Sequence, residues 1–343
     1  MTAAEVYAVE HLDADVLAYT ANMTRAEWLD VRRAGIGGSD APAVAGLSKW
    51  SSPFAVWLDK AGLAPATDRA NEAMTWGQLL EPVVRDEVGR RLGWRIDPVH
   101  ATLRSRPYPF AIVNLDGLAW PDGPDGDPVV YEGKIASAYV GHEWEGDEVP
   151  DAYVVQVQHE LMVTGLSRAI VGVLIGGNHL EIRHVERDDE LIGHLVELER
   201  AFWEDHVVPG VQPPPDGSDA CTTLIGDLYP APDARSTVTI DEAEVDVIEG
   251  LLVAKAEAAA ALKVAEAQEK AAKNALRARI GDATDLLAPD GRTTLATWRP
   301  QVKRTLDVGF DRAALTHAHP TIARMLTREN TIRVLRTPTK ASR

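Results

Sequence analysis

The sequence predicts an α/β (α+β) fold, a sheet flanked by helices, with a long C-terminal helix and a small basic β/α appendage after it. Three observations predict it. Runs rich in β-branched residues recur near 99–104, 110–115, 128–135, 168–175 and 179–186. Helical patterns at 70–92, 151–162 and 188–206 alternate with them. Beyond a proline-rich break the composition turns to Ala, Glu and Lys. The resulting layout is a core over 1–207, a linker or strap over 208–240, a long helix over 241–281 and a small basic region over 282–343.

Taken in order, Arg25 to Arg33 reads as a helix with Thr24 as N-cap and Glu27 as its capping-box partner. Gly35-Ile36-Gly37-Gly38 breaks it, and Ser39 and Asp40 introduce a short helix to about Leu47. A glycine-rich connection into a helix N-terminus is a favourable place for a phosphate. In the 70–92 helix, Trp76, Leu79, Leu80, Val83, Val84, Val88 and Leu92 recur at helical spacing. The runs at 110–115 and 128–135 flank a Pro, Gly and Asp-rich turn and read as a hairpin, with Asp116 at the end of the first strand. Val208 to Asp219 holds four prolines, three consecutive, and marks the boundary. Asp241 to Ile280 has no proline and reads as a helix reaching about 60 Å. Its Ala-rich face suits packing against another helix, its own neighbour or a partner chain's. Thr284 to Leu287 and Thr293 to Trp298 flank Pro289-Asp290-Gly291 and read as a hairpin.

Composition narrows the function. No apolar run is long enough to span a membrane and the N-terminus is acidic, so the expectation is a cytoplasmic protein without a membrane partner. The single cysteine, Cys221, excludes cysteine-rich metal and iron–sulfur sites. A net charge of −17 argues against a large non-specific nucleic-acid surface. From Trp298 to Arg343, however, ten Lys or Arg face three Asp or Glu, about +7, leaving about −24 elsewhere. A locally basic, metal-loaded cleft can operate within an acidic exterior.

The most informative motif is Asp116 followed sixteen residues later by Glu132-Gly133-Lys134. Residues two apart on a strand share a face, so Glu132 and Lys134 project together. Two converging carboxylates offer the hard oxygen ligands that Mg²⁺ or Mn²⁺ prefers, and a lysine beside them can orient a water or offset transition-state charge. An Asp at a turn followed by Glu-x-Lys on an exposed strand face also occurs in ordinary proteins, so the motif's weight comes from its context.

That context is a set of motifs in order: Arg32 through Gly35-Ile36-Gly37-Gly38-Ser39-Asp40, Trp76-Gly77-Gln78-Leu79-Leu80-Glu81, Leu115-Asp116-Gly117-Leu118, Glu132-Gly133-Lys134, and Tyr153-Val154-Val155-Gln156-Val157-Gln158. Over about residues 24–206 the chain resembles the YqaJ-like viral recombinase family, relatives of lambda exonuclease among the PD-(D/E)XK nucleases. The resemblance implies a restriction-endonuclease-like core with a central mixed sheet flanked by helices. It implies that Asp116 and Glu132 are metal ligands, Lys134 the catalytic lysine, and Glu81 an added acidic residue supporting a second metal or a bound water. It makes Arg32 and Ser39, with Gln156 and Gln158 on a later helix, candidates for gripping a 5′-phosphate. Asn114 stands where lambda-type enzymes carry a small hydroxyl residue, and its amide can still donate to phosphate. Read without the resemblance, Glu81 also fits a solvated helix edge, Arg32 a surface charge, and the two glutamines a polar face.

The implied activity is a Mg²⁺-dependent exodeoxyribonuclease, with Mn²⁺ as a substitute, resecting duplex DNA ends 5′ to 3′ in phage-type recombination. Implied partners are double-stranded DNA ends, a single-strand annealing protein and, by analogy alone, further copies of the chain in a ring. Two rivals stand beside it: an endonuclease of the same fold in restriction or repair, and a catalytically silent DNA-binding or assembly module.

Overall fold

The computed structural model describes residues 6–7, 11–64, 72–123, 126–230 and 237–298, and the chain divides into two compact units, Met1–Tyr229 and Pro230–Arg343. The first unit opens with β1 (Ala14–Tyr19), α1 (Arg25–Arg32), α2 (Ala41–Val44), α3 (Pro53–Lys60) and α4 (Glu72–Leu92). Then come β2 (Arg95–Asp97), β3 (Ala101–Ser105), β4 (Ile112–Asn114), β5 (Gly117–Trp120) and β6 (Val129–Ala136). After a 3-10 segment (Ala138–Trp144) follow α5 (Asp151–Thr164), β7 (Arg168–Ile175), β8 (His179–Glu186), α6 (Asp189–Phe202) and α7 (Asp219–Leu228).

The central sheet is mixed, in the order β2-β5-β6-β7-β8, and all its pairings are antiparallel except β6 with β7. The parallel pair requires a long crossover, and α5 lies within it. β7 is buried from Ala169 to Val173, the continuous apolar run expected of a strand covered on both faces. On one face α4 packs across β6 and β7. Its approach depends on Gly172, where a Cβ would stand 2.6 Å from Val88 Cγ2. A smaller antiparallel sheet, β1-β3-β4, lies beside it.

The hairpin expectation needs correction. The strand that pairs with β6 is β5, Gly117–Trp120, while 112–114 forms β4 and pairs with β3 in the smaller sheet. Asp116 therefore sits at the step between two sheets instead of at the end of a strand paired with β6. The apolar run 110–118 is long enough to serve both, and a strand's periodicity does not say which sheet it joins. The α4 pattern also divides: Val84 and Val88 are buried against the sheet, whereas Trp76, Leu79 and Val83 are exposed. Regular apolar spacing identified the helix but not the half of it that is covered. The compact unit also runs past residue 207: Pro213 is buried, and Cys221 and Leu224 of α7 join the main core. The α1 capping box forms as expected, with Thr24 N donating to Glu27 Oε2 at 2.8 Å and Glu27 N to Thr24 Oγ1 at 3.3 Å.

In the second unit α8 (Glu242–Ile280) starts with its own Asp241–Glu244 capping box. It is followed by the expected hairpin, β9 (Asp285–Leu287) with β10 (Thr294–Thr297). Along α8 only Ile280 is buried, so within its own unit no described element covers the Ala-rich face. The basic region expected beyond Trp298 lies outside the described residues.

One buried polar contact ties α5 to β4. His159 Nδ1 faces Glu199 Oε1 at 2.8 Å and Nε2 faces the Ile112 carbonyl at 2.9 Å, with both side chains of the His–Glu pair fully buried. Both partners are acceptors, so only the doubly protonated ring satisfies both. Burial alone would lower the histidine's pKa, but Glu199 and the Ile112 carbonyl outweigh it and raise it. A raised folded value means the pair's contribution is complete below the unfolded value near 6.5 and is lost as pH rises through the folded value. We expect Glu199→Leu to destabilise the protein by about 3–5 kcal/mol at pH 6. In urea titrations its deficit against wild type should shrink as pH rises, and a constant deficit would place the neutral ring in the native state.

Candidate active site

β6 alternates its side chains, with Tyr131 in the core and Glu132 and Lys134 on the opposite face. Lys134 Nζ lies 2.5 Å from Glu132 Oε1 and donates to Gln156 Oε1 at 3.0 Å. The Gln156 amide runs the other way, its Nε2 donating to Glu132 Oε1 at 2.6 Å and to Glu160 Oε1 at 3.0 Å. One lysine, one amide and two carboxylates are thus connected across β6 and α5. Asp116 joins them through the backbone, its Oδ2 accepting from Gly133 N at 2.9 Å.

Burying these carboxylates together changes their acidity. Burial, then the Glu132 charge, pushes the Asp116 carboxyl well above the usual range, against the Gly133 N–H that favours its charged form. Glu160 is raised in the same way, by burial and then by Glu132, and its Oε2 is buried without a hydrogen-bond partner. Glu81 on α4 is raised more modestly, burial and Glu132 prevailing over Arg85. Burial opposes the Lys134 ammonium, but Glu132, Asp116 and Glu160 outweigh it and hold its pKa above the ordinary value.

The second half of the site is the turn after α1. Ile36 N donates to the Phe110 carbonyl at 2.7 Å and Ile112 N to the Ile36 carbonyl at 2.8 Å, which stitches the turn to the chain entering β4. Gly38 faces α5, where a Cβ would meet Glu160 Oε1 at 3.0 Å, so a larger residue would crowd the Gln156–Glu160 pair. Arg32 reaches across the turn to Ser39 Oγ and Asp40 Oδ1, both at 3.1 Å, with its guanidinium 4.9 Å from the centre of the Trp28 ring. Asp40 does not cap α2 with its side chain. Its Oδ2 accepts from Gly37 N at 2.9 Å and from the buried Lys60 Nζ at 2.6 Å. Burial works against the Asp40 carboxylate, but Lys60 and Arg32 outweigh it and lower its pKa.

Arg32, Ser39, Glu81, Asn114, Asp116, Glu132, Lys134 and Gln156 all line a single cavity of about 510 Å³. Gln158 does not. It faces away from the cavity, its Nε2 donating to the Glu186 carbonyl at 2.7 Å and its Oε1 accepting from Asp188 N at 2.9 Å. Two residues apart on a helix means about 200° of rotation, so Gln156 and Gln158 cannot serve one site. The face partner of Gln156 is Glu160, four residues on, which that spacing could have revealed. Asp40 and Lys60 carried no signal as a pair, since twenty residues separate them.

A model of the YqaJ-like viral recombinase domain matches residues 27–167. The uncharacterized protein YqaJ of Bacillus subtilis (strain 168) is 36% identical over 296 residues, 86% of this chain and 89% of that protein. The chain belongs to the YqaJ-like viral recombinase family. Among solved structures, LHK-Exo in complex with dAMP is similar at TM-score 0.45 and 19% identity, covering 54% of this chain and 94% of that one. LHK-Exo, an alkaline exonuclease from Laribacter hongkongensis, is also similar at TM-score 0.42, 19% identity and the same coverage. A phage-related exonuclease from Haemophilus somnus 129PT is similar at TM-score 0.41 and 14% identity, covering 51% and 96%.

Within the YqaJ-like domain, Asp116, Glu132 and Glu81 line one cavity, and carboxylate oxygens are the ligand type that Mg²⁺ and Mn²⁺ prefer. Glu160, which shares Gln156 with Glu132, keeps one buried carboxylate oxygen without a hydrogen-bond partner, an acceptor still unmet within this cluster. Among the described residues no group of three or more His, Cys, Asp or Glu is placed to hold a metal ion. Mg²⁺ does not require one, since it keeps several waters and completes its shell with phosphate oxygens. The two glutamines can be separated by experiment. Gln158→Leu leaves the Glu186 carbonyl and the Asp188 N–H unpaired and should lower unfolding stability by about 1–3 kcal/mol, while the affinity for divalent cations measured by calorimetry stays at the wild-type value.

Proposed function

We propose that the protein is a Mg²⁺-dependent exodeoxyribonuclease, with Mn²⁺ as a substitute, that resects duplex DNA ends 5′ to 3′ in phage-type homologous recombination. It would act in the cytoplasm, with a single-strand annealing protein as downstream partner. Family membership supports recombination as the setting. The observation that carries the chemistry is Lys134, held between Glu132 and Gln156 beside Asp116, in a cavity that also presents Arg32.

Asp116 and Glu132 would hold the cation, which when bound supplies Lewis-acid polarisation of a phosphate and a lowered pKa for an attacking water. Glu81 faces the same cavity and supports that cluster from α4. Lys134 remains charged beside Glu132 and is therefore suited to stabilise a phosphorane's added charge and orient the nucleophile, not to take its proton. Gln156 fixes the lysine's direction. In the same cavity Arg32, Ser39 and Asn114 offer donors to a terminal phosphate, Arg32 with the paired donors that phosphate oxygens match. A carboxylate already engages part of the Arg32 fork, which holds it ready in one orientation.

The decisive experiment is digestion of linear and covalently closed duplex with Mg²⁺. Linear DNA should be degraded and circles left intact, and cutting of circles would instead indicate an endonuclease. Asp116→Ala and Lys134→Ala should each reduce digestion by at least about 100-fold; near wild-type activity in either overturns the mechanism. No cleavage of either substrate by wild type would favour the binding module.

Cation binding can be tested without catalysis. Because a cation would relieve repulsion among buried carboxylates, millimolar Mg²⁺ or Mn²⁺ should raise the wild-type melting temperature. Asp116→Asn should lose most of that rise. An equal rise in both proteins would place the cation elsewhere.

A further inference from the structure

α8 carries a pattern beyond its richness in alanine. Stepping alternately three and four residues from Ile248, the spacing of a coiled-coil seam, the chain meets Leu251, Leu262 and Leu276 with alanines between them. Only two charged side chains interrupt this seam, Lys255 and Glu269. Ile248, Leu251, Leu262 and Leu276 are 39–62% exposed, and no described element of the unit covers the seam, which is about 42 Å long.

The charges identify the occupant. Lys255 and Glu269 each stand seven residues from Leu262, on opposite sides. A second α8 laid antiparallel about Leu262 brings each Lys255 level with the partner's Glu269, and each Ile248 level with the partner's Leu276. A parallel pair would set lysine against lysine and glutamate against glutamate inside the seam, where like charges are costly. The rest of the helix has the same inversion. Residues 242–254 hold four acidic side chains and no basic one, whereas residues 270–280 hold four basic and no acidic one. Compensation of the helix dipole accounts for charges in the first and last turns, but Glu249, Lys270, Lys273 and the two seam charges lie deeper. Within one helix Glu269 meets Lys273 at 2.6 Å, an exposed pair of the kind that contributes little and yields readily to a partner's charge.

We infer that α8 is a self-association surface whose occupant is the α8 of a second copy, antiparallel and centred near Leu262, with two Lys255–Glu269 pairs fixing its direction. A twofold interface must be complementary to itself, and α8 is so only when the chain direction is reversed. A foreign helix imposes no such symmetry. The seam alanines let the two axes approach to about 8 Å, and charged seam positions lower stability while specifying register. The inference stands on α8 alone and does not depend on the nuclease reading.

The test is the mass of the full-length chain by sedimentation equilibrium across a micromolar concentration series. Wild type should associate to twice the chain mass. Lys255→Glu sets carboxylate against carboxylate at both cross-pairs, and Glu269→Lys sets ammonium against ammonium, so each should raise the dimer Kd at least about tenfold. Both positions are exposed and both substitutions keep good helix formers, so helical content by circular dichroism should stay at the wild-type value. The double variant Lys255→Glu with Glu269→Lys restores opposite charges in the antiparallel order and should recover the wild-type Kd. In a parallel pair neither single change would alter the like-charged seam and the double variant would recover nothing. A wild type that stays monomeric, single changes that leave association unmoved, or a double variant that fails to recover it each overturn the inference.

Discussion

The fold is arranged around the burial of several carboxylates beside one ammonium. Glu132, Asp116 and Glu160 all influence Lys134, and Glu81 adds to the charge felt by Asp116. Removing one ion from water has an effective penalty of several kcal/mol, and like charges compound it. The sheet offsets part of this by placing Lys134 on the same strand face as Glu132, and α5 offsets more by supplying the Gln156 amide, which donates to two carboxylates while accepting from the lysine. The remaining imbalance is negative. A cavity left short of positive charge by its own protein is one that attracts cations.

The parallel pairing of β6 and β7 follows from that requirement. A hairpin could bring a second strand beside β6 but would leave no helix to cover the face carrying Glu132 and Lys134. The crossover places α5 there, and His159, one turn from Gln156, anchors the helix to the Ile112 carbonyl of β4. β4 in turn leads through Asn114 to Asp116, so one imidazole links the helix carrying Gln156 to the strand that ends at the first carboxylate. The smaller sheet has the same logic, since its strands fix Thr102 and Asn114 and its last strand delivers Asp116 to the larger sheet.

How much of this the sequence disclosed depended on whether the signal was local. The Thr24–Glu27 box, the 168–175 and 179–186 strands and the helix from Asp151 were legible because caps and periodicity are short-range. Glu132 and Lys134 were legible as neighbours because a strand's two-residue alternation fixes their common face, whereas Asp116, between two strands, meets them through the Gly133 N–H. The β5–β6 hairpin was misread because the apolar run 110–118 crosses between sheets, and pairing is a long-range choice. Gln158 was misplaced where helical geometry had been available, and Glu160 was overlooked for the same reason. Lys60 was beyond reach, since only tertiary structure brings it under Asp40.

That last contact shows how a cavity rich in carboxylates can keep one arginine in a fixed place. Arg32 alone at a helix end would be a mobile surface charge, and a phosphate would have to order it on binding. Here Asp40 and Ser39 hold one guanidinium nitrogen and the Trp28 ring lies against the group. A bare carboxylate in that position would cancel the arginine's charge. Lys60 offsets this: its buried ammonium pairs with the second Asp40 oxygen, with Asp59 3.9 Å away, so Asp40 is shared between two cations and Arg32 alone does not have to satisfy it. The global charge of −17 therefore says little about this pocket. What sets the field around Arg32 is its immediate neighbours, of which Asp40 and Lys60 are buried deeply enough that salt screens them weakly.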